Sequence, residues 1–168
     1  MERIKKRALV TGSFDPVTRG HEDVIRRAAA IYDEVYAVVF VSDEKKGFFP
    51  LEKRKEWLEA VCRKFSNVTV DADRGFVADY VRRNQISVII RGVRNEIDFA
   101  YERPMADYNL AHGGAETLLL YANKELEEVS SRRVRELLVA EKSPRELLPC
   151  EIWEDICENW RFFHKECE

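Results

Sequence analysis

Apolar positions along this chain form two alternating kinds of run. Short, nearly unbroken stretches rich in Val, Ile and Leu occur at Arg7–Thr11, Val35–Val41, Val68–Asp71, Ser87–Arg91 and Thr117–Tyr121. They mostly lack polar alternation, which is the pattern of strands buried on both faces of a parallel sheet. Between them, apolar residues recur at helical spacing. Val24, Ile25, Ala28, Ala29 and Tyr32 predict a first helix, and Leu58, Val61, Cys62 and Phe65 a second. Phe76, Val77, Tyr80 and Val81 predict a third, and Asp98 to Ala111 a fourth with Pro104 as an irregularity. Val134, Leu137 and Leu138 mark a fifth. Ile152, Ile156, Trp160 and Phe163 mark a last helix, entered after Pro149.

Alternation of this kind implies right-handed crossovers and an α/β fold, a doubly wound parallel sheet of five strands followed by C-terminal helices. Such sheets bind ligands beyond the carboxyl ends of the strands, at the topological switch point. Four segments with chemical character fall there. They are Gly12–His21 after the first strand, Ser42–Phe49 after the second, Arg91–Arg94 after the fourth and Ala122–Arg132 after the fifth. No repeat or linker divides the chain, so residues 1–168 read as a single domain.

Composition narrows the class. With 45% hydrophobic and 35% charged residues, the 168-residue chain is a folded domain with a sizeable core, not a disordered one. A formal net charge of −3 gives no basic field for nucleic acid, although the 28 Lys and Arg can still cluster at a phosphate site. No apolar run approaches the roughly 20 residues of a membrane span, and the charged N-terminus is not followed by the apolar stretch of a signal peptide. Cytoplasm is the expected location, with neither membrane nor nucleic acid as a partner. Cys62, Cys150, Cys157 and Cys167 form no Cys-x-x-Cys pair, which disfavours zinc and dithiol chemistry. Cys62 reads as a small core residue, and His164 with Cys167 as a fraying helix end.

The richest stretch is Thr11-Gly12-Ser13-Phe14-Asp15-Pro16-Val17-Thr18-Arg19-Gly20-His21. A strand, a glycine turn, small hydroxyls and a His at a helix start make a layout suited to phosphate, because a helix N-terminus presents unpaired N–H groups and partial positive charge. Thr18 also suits an N-cap. In the Ser42–Pro50 loop, otherwise a solvated charged turn, Lys45 or Lys46 could reach a phosphate. Arg91 and Arg94 flank Gly92 after a buried strand, where guanidinium groups need anions or ion pairs with Glu96, Asp98 or Glu102. Ser130 and Ser131 open a helix whose N–H groups, with Arg132, could hold a triphosphate.

Together these segments resemble the bacterial phosphopantetheine adenylyltransferases over nearly the whole chain. The shared motifs are Gly-Ser-Phe-Asp-Pro-x-Thr-x-Gly-His, Ser-x-x-Lys-Lys and Arg-Gly-x-Arg-x-x-x-Asp-Phe-x-Tyr-Glu. The resemblance implies transfer of AMP from ATP to 4′-phosphopantetheine, giving dephospho-coenzyme A and pyrophosphate, with Mg²⁺ carried mainly by the ATP phosphates. It implies that Ser13, Lys45 and Arg91 meet the acceptor phosphate and that Phe76 and Val77 lie along the pantetheine arm. Ser13, Phe14, His21, Gly92, Val93, Arg94, Glu102 and the run Leu126, Glu127, Glu128, Val129, Ser130, Ser131 and Arg132 would meet ATP. His21, Lys45 and Arg94 would be catalytic. Coenzyme A and dephospho-coenzyme A would be product or feedback ligands. Arg132 replaces the last of the family's three helix-start serines. Glu127 and Glu128 would repel a triphosphate unless they point outward, which favours backbone contacts there. The nearest alternative, a nicotinamide mononucleotide adenylyltransferase, shares the Ser130–Arg132 pattern but not the Arg91–Glu102 segment. A catalytically silent nucleotide-binding module is disfavoured by the joint presence of His21, Lys45, Arg91 and Arg94.

The resemblance also implies a homohexamer. Trp57, Tyr108 and Trp153 fall outside the clearest core stripes and are expected at interfaces, with Arg94 to Tyr108 contributing a subunit contact.

Overall fold

The computed structural model describes residues 5–41 and 47–165. Strands β1 (Arg7–Gly12), β2 (Glu34–Phe40), β3 (Val68–Asp73), β4 (Val88–Val93) and β5 (Glu116–Tyr121) pair all-parallel in the order β3-β2-β1-β4-β5. Each strand falls where the apolar runs place it, shifted by a residue or two at its ends. β1 lies at the centre, with Val10 opposite both Ala37 and Ile90. The chain reverses its direction of build between β1 and β4, so the switch point opens beside the carboxyl end of β1.

The two faces of the sheet are covered unequally. Ala8 and Val10 pack under α1 (Arg19–Ile31), α2 (Leu51–Cys62), α5 (Ser131–Val139) and α6 (Trp153–Lys165). Those helices contribute Val24, Ile25, Ala28, Leu58, Val61, Val134, Leu138 and Ile156 to one core, joined by Ile152 from the turn before α6. Leu9, Val38 and Ile89 face the other side, where α3 (Val77–Arg83) supplies Tyr80 and Val81 to a smaller core. α4 (Glu96–Gly113) covers the same side but buries only Glu102, leaving Ile97, Phe99, Tyr101, Tyr108 and Leu110 exposed.

Several expectations change. Trp57 is no surface aromatic: it is 2% exposed, packs on Phe49 and donates its indole N–H to Asp155 at 2.5 Å. Trp153 also packs against the larger core, whereas Tyr108 is exposed as expected. Phe76 does not belong to the buried stripe of α3; it sits at the N-cap position, 66% exposed, tilted against Tyr108 of α4. α4 runs unbroken through Pro104, because the helical carbonyl deprived of a donor belongs to exposed Ala100. Cys62 is buried in the core, and burial pushes its thiol up to about 12, far from reactive thiolate chemistry.

Candidate active site

A cavity of about 360 Å³ opens at the switch point. Its walls come from the β1–α1 loop, the end of β4 with the start of α4, and the segment leading into α5. Thr18 is the N-cap of α1, and its backbone N–H donates to His21 Nδ1 at 3.0 Å. That nitrogen is therefore an acceptor, and the neutral ring carries its proton on Nε2. Burial, followed by the Arg91 and Arg94 cations, pushes the His21 pKa down to about 4. The imidazole is a neutral donor near pH 7. Phe14, at a left-handed φ of 42°, is fully buried and meets the His21 ring edge-on at 4.9 Å. Its side chain supports His21, and Phe14, fully buried, does not line the cavity, so the expected nucleotide contact from Phe14 is replaced by a structural one.

Four backbone carbonyl oxygens at the end of β1 and in the loop after it are taken by other elements. Arg91 donates to the Thr11 carbonyl, Arg54 to that of Ser13 at 3.2 Å, and Arg135 to that of Asp15 at 2.5 Å. Ser131 Oγ donates to the Pro16 carbonyl at 2.7 Å. The Asp15 carboxylate accepts the N–H groups of Phe48 and Phe49 at 2.7 and 2.9 Å, so this acid anchors the return from the β2 loop and has a structural task.

On the opposite wall, Arg91 pairs with buried Glu102 at 2.8 Å. Arg94 grips Asp98 by two parallel contacts, 2.8 Å from Nε and 3.0 Å from Nη2, and its backbone N–H adds a third at 3.0 Å. The Arg94 side chain holds the Asp98 carboxyl below its usual range, and the same bond raises Arg94. Asn95 caps α4 by accepting the Asp98 N–H at 3.0 Å. The ion pairing open to these arginines is thus realised with Asp98 and Glu102, while both guanidinium groups still line the cavity.

The α5 start closes the site. Ser130 caps the helix by accepting the Arg133 N–H at 3.1 Å, and Ser130, Ser131 and Arg132 at this helix start line the cavity. Of the expected residues, Ser13, His21, Arg91, Gly92, Arg94, Glu102, Leu126, Val129, Ser130, Ser131 and Arg132 share the cavity. Val93 is buried, while Glu127 and Glu128 are exposed; none of these three side chains lines it. Phe76 and Val77 lie outside it, beyond the end of β3. Lys45 lies outside the described residues. Sequence reasoning missed Asp23 and Tyr101 in the lining, and the arginines Arg54 and Arg135 behind the loop. Of these, Asp23 carried a readable signal, its spacing of three and four from Arg26 and Arg27, with which it pairs.

Comparison with known proteins fits this geometry. A family model described as cytidylyltransferase-like matches residues 9–137. The phosphopantetheine adenylyltransferase of Streptomyces coelicolor is 36% identical over 156 residues, 93% of this chain and 98% of the relative. That of Streptococcus agalactiae is 42% identical, over 86% of this chain and 91% of its own. The chain belongs to the phosphopantetheine adenylyltransferase family, within the cytidylyltransferase-like family. A solved Vibrio parahaemolyticus structure named for nicotinate-nucleotide adenylyltransferase superposes with a TM-score of 0.69 over 94% of both chains. At 16% identity that likeness speaks for the shared fold alone.

Proposed function

We propose that this enzyme transfers AMP from ATP to 4′-phosphopantetheine, forming dephospho-coenzyme A and releasing pyrophosphate in coenzyme A synthesis. The observation that carries this reading is similarity to phosphopantetheine adenylyltransferases along nearly the full chain. In the reaction an acceptor phosphate oxygen attacks the α-phosphorus in line as pyrophosphate leaves. The attacking phosphate is already anionic, so no general base is needed and catalysis is positioning plus charge stabilisation. His21 Nε2–H donates to an α-phosphate oxygen as negative charge builds. Ser13, Lys45 and Arg91 hold the acceptor phosphate, and Phe76 and Val77 flank its pantetheine arm. Gly92, Arg94 and the N–H groups opening α5 hold ATP, and Glu102 orients Arg91.

Mg²⁺ is best held by the ATP phosphates, where it would offset their charge. The cavity carboxylates Asp23, Asp98 and Glu102 are each engaged by an arginine, and no metal-binding cluster of three or more His, Cys, Asp or Glu occurs among the described residues. Coenzyme A and dephospho-coenzyme A compete for the same cavity. The enzyme acts in the cytoplasm; no described helix is long and apolar enough to cross a membrane. It assembles as a homohexamer, with exposed Ile97, Phe99 and Tyr108 of α4 and Leu118 and Tyr121 of β5 as the apolar surface available for subunit contacts.

A pyrophosphate-release assay tests the reaction. Turnover is expected with ATP and phosphopantetheine, and none with nicotinamide mononucleotide; the reverse would overturn the reading. Light scattering at micromolar concentration tests assembly, and a mass near 19.7 kDa would exclude it.

A further inference from the structure

Arg54 stands apart from the other cations around the site. It sits in α2 yet is only 6% exposed, and its Nε is buried with no hydrogen-bond partner. Its one polar side-chain contact among the described residues is the donation from Nη1 to the Ser13 carbonyl. Arg91 and Arg94 have carboxylate partners; Arg54 has none among the described residues, and the Asp15 carboxylate is occupied by two backbone N–H groups. A Cβ added to Gly47 would lie 2.9 Å from Arg54 Nη2 and 3.0 Å from both Cζ and the Phe49 carbonyl. The guanidinium therefore underlies both the loop after β1 and the return of the loop after β2. A buried cation without a counter-ion is costly to keep, and an anion brought near it offsets that cost.

We infer that Arg54 is a positioning residue for the acceptor phosphate. It draws the Ser13 carbonyl away from the cavity, so that the loop offers its donors and not its acceptors. It also places fixed positive charge behind the loop. The guanidinium does not line the cavity and acts through Ser13, so the inference rests on the proposed assignment of Ser13 to the acceptor phosphate. Unlike Arg91, it gives up no ion pair when phosphate binds.

The test uses Arg54→Gln and Arg54→Lys in the full chain. Arg54→Gln should raise the KM for phosphopantetheine about tenfold while moving the KM for ATP less than about threefold, the scale of one charge-assisted contact. Arg54→Lys should fall between Arg54→Gln and the parent protein. In thermal melts, each variant compared with its own ligand-free melt, inorganic phosphate should raise the midpoint of the parent more than that of Arg54→Gln. A folded Arg54→Gln with an unchanged KM for phosphopantetheine and an equal phosphate response overturns the inference. So does Arg54→Lys behaving no better than Arg54→Gln. If Arg54→Gln does not fold, Arg54→Lys with parental KM and parental phosphate response overturns it. The phosphate melt needs no turnover, so failure of the proposed reaction would show separately, as a parent protein that responds to phosphate but releases no pyrophosphate with phosphopantetheine.

Discussion

The two long walls of the cavity are built on different rules. In the β1–α1 wall, the backbone acceptors are tied down by Arg54, Arg91, Arg135 and Ser131, and His21 is neutral with its acceptor nitrogen already satisfied. What remains for a ligand are donors in fixed places. In the β4–α4 wall, the donors are full charges already committed to Glu102 and Asp98. A phosphate arriving there must share or displace a carboxylate. The first wall is preorganised, which is what transition-state stabilisation requires; the second exchanges partners, which suits substrate capture. The fixed His21 donor of the first wall should govern kcat, and the exchanging arginines of the second chiefly KM.

The largest effect should come from removing the fixed donor. His21→Ala should fold and lose about 10²–10³-fold in kcat, the scale for one preorganised donor, with KM for either substrate changed little. Steady-state kinetics on the folded variant measure this split. Near-full turnover would remove His21 from the chemistry.

The same histidine makes the fold acid-sensitive. Its native pKa of about 4 lies below the ordinary 6.5. Between those values the unfolded chain binds a proton that the native state refuses, so stability rises with pH across that window. The contribution is whole at pH 7 and is lost as pH falls from 6.5 towards 4, up to ~3 kcal/mol. Denaturant melts at pH 7 and pH 4.5 should show a smaller pH difference in His21→Gln than in the parent. An unchanged difference would mean that the acid sensitivity lies elsewhere.

On the exchanging wall, Arg91→Ala should weaken phosphopantetheine binding by about 1.5–3 kcal/mol and ATP binding much less. Titration calorimetry with each substrate separately decides. Equal losses would move Arg91 to the ATP side or make it chiefly a partner for buried Glu102.

Much of this contrast was legible in the sequence, though unevenly. Strand runs and helix stripes place all five strands, because a parallel sheet buried on both faces writes itself as unbroken Val, Ile and Leu. His21, Arg91, Arg94 and the α5 start were visible as motifs beside strand ends. The orientation of Phe14 was not, since a motif position does not say whether a ring faces ligand or core. Nor were Arg54 and Arg135, whose partners are carbonyl oxygens 41 and 120 residues away in sequence. Backbone acceptors leave no trace in residue type. Trp57 misled for a different reason: it lies on the buried stripe of α2 with Leu58, Val61 and Cys62, so helical spacing did record its burial, and its size alone suggested an interface.

The smallest effect sharpens the comparison where the walls meet, at Ser130. Its hydroxyl oxygen accepts the Arg133 N–H, which makes it an N-cap, yet its own proton remains available to a triphosphate. If backbone N–H groups carry nucleotide binding at α5, Ser130→Ala should cost about 1 kcal/mol of stability, the usual loss of a cap. It should also raise the KM for ATP less than about threefold, since the helix N–H donors stay in place. Denaturant melts and ATP titration on the same preparation separate the two roles. A loss in ATP affinity above about tenfold, with stability intact, would make Ser130 a ligand contact first and a cap second. The α5 start would then belong with the charged wall, as a side-chain site formed on binding and not a surface built in advance.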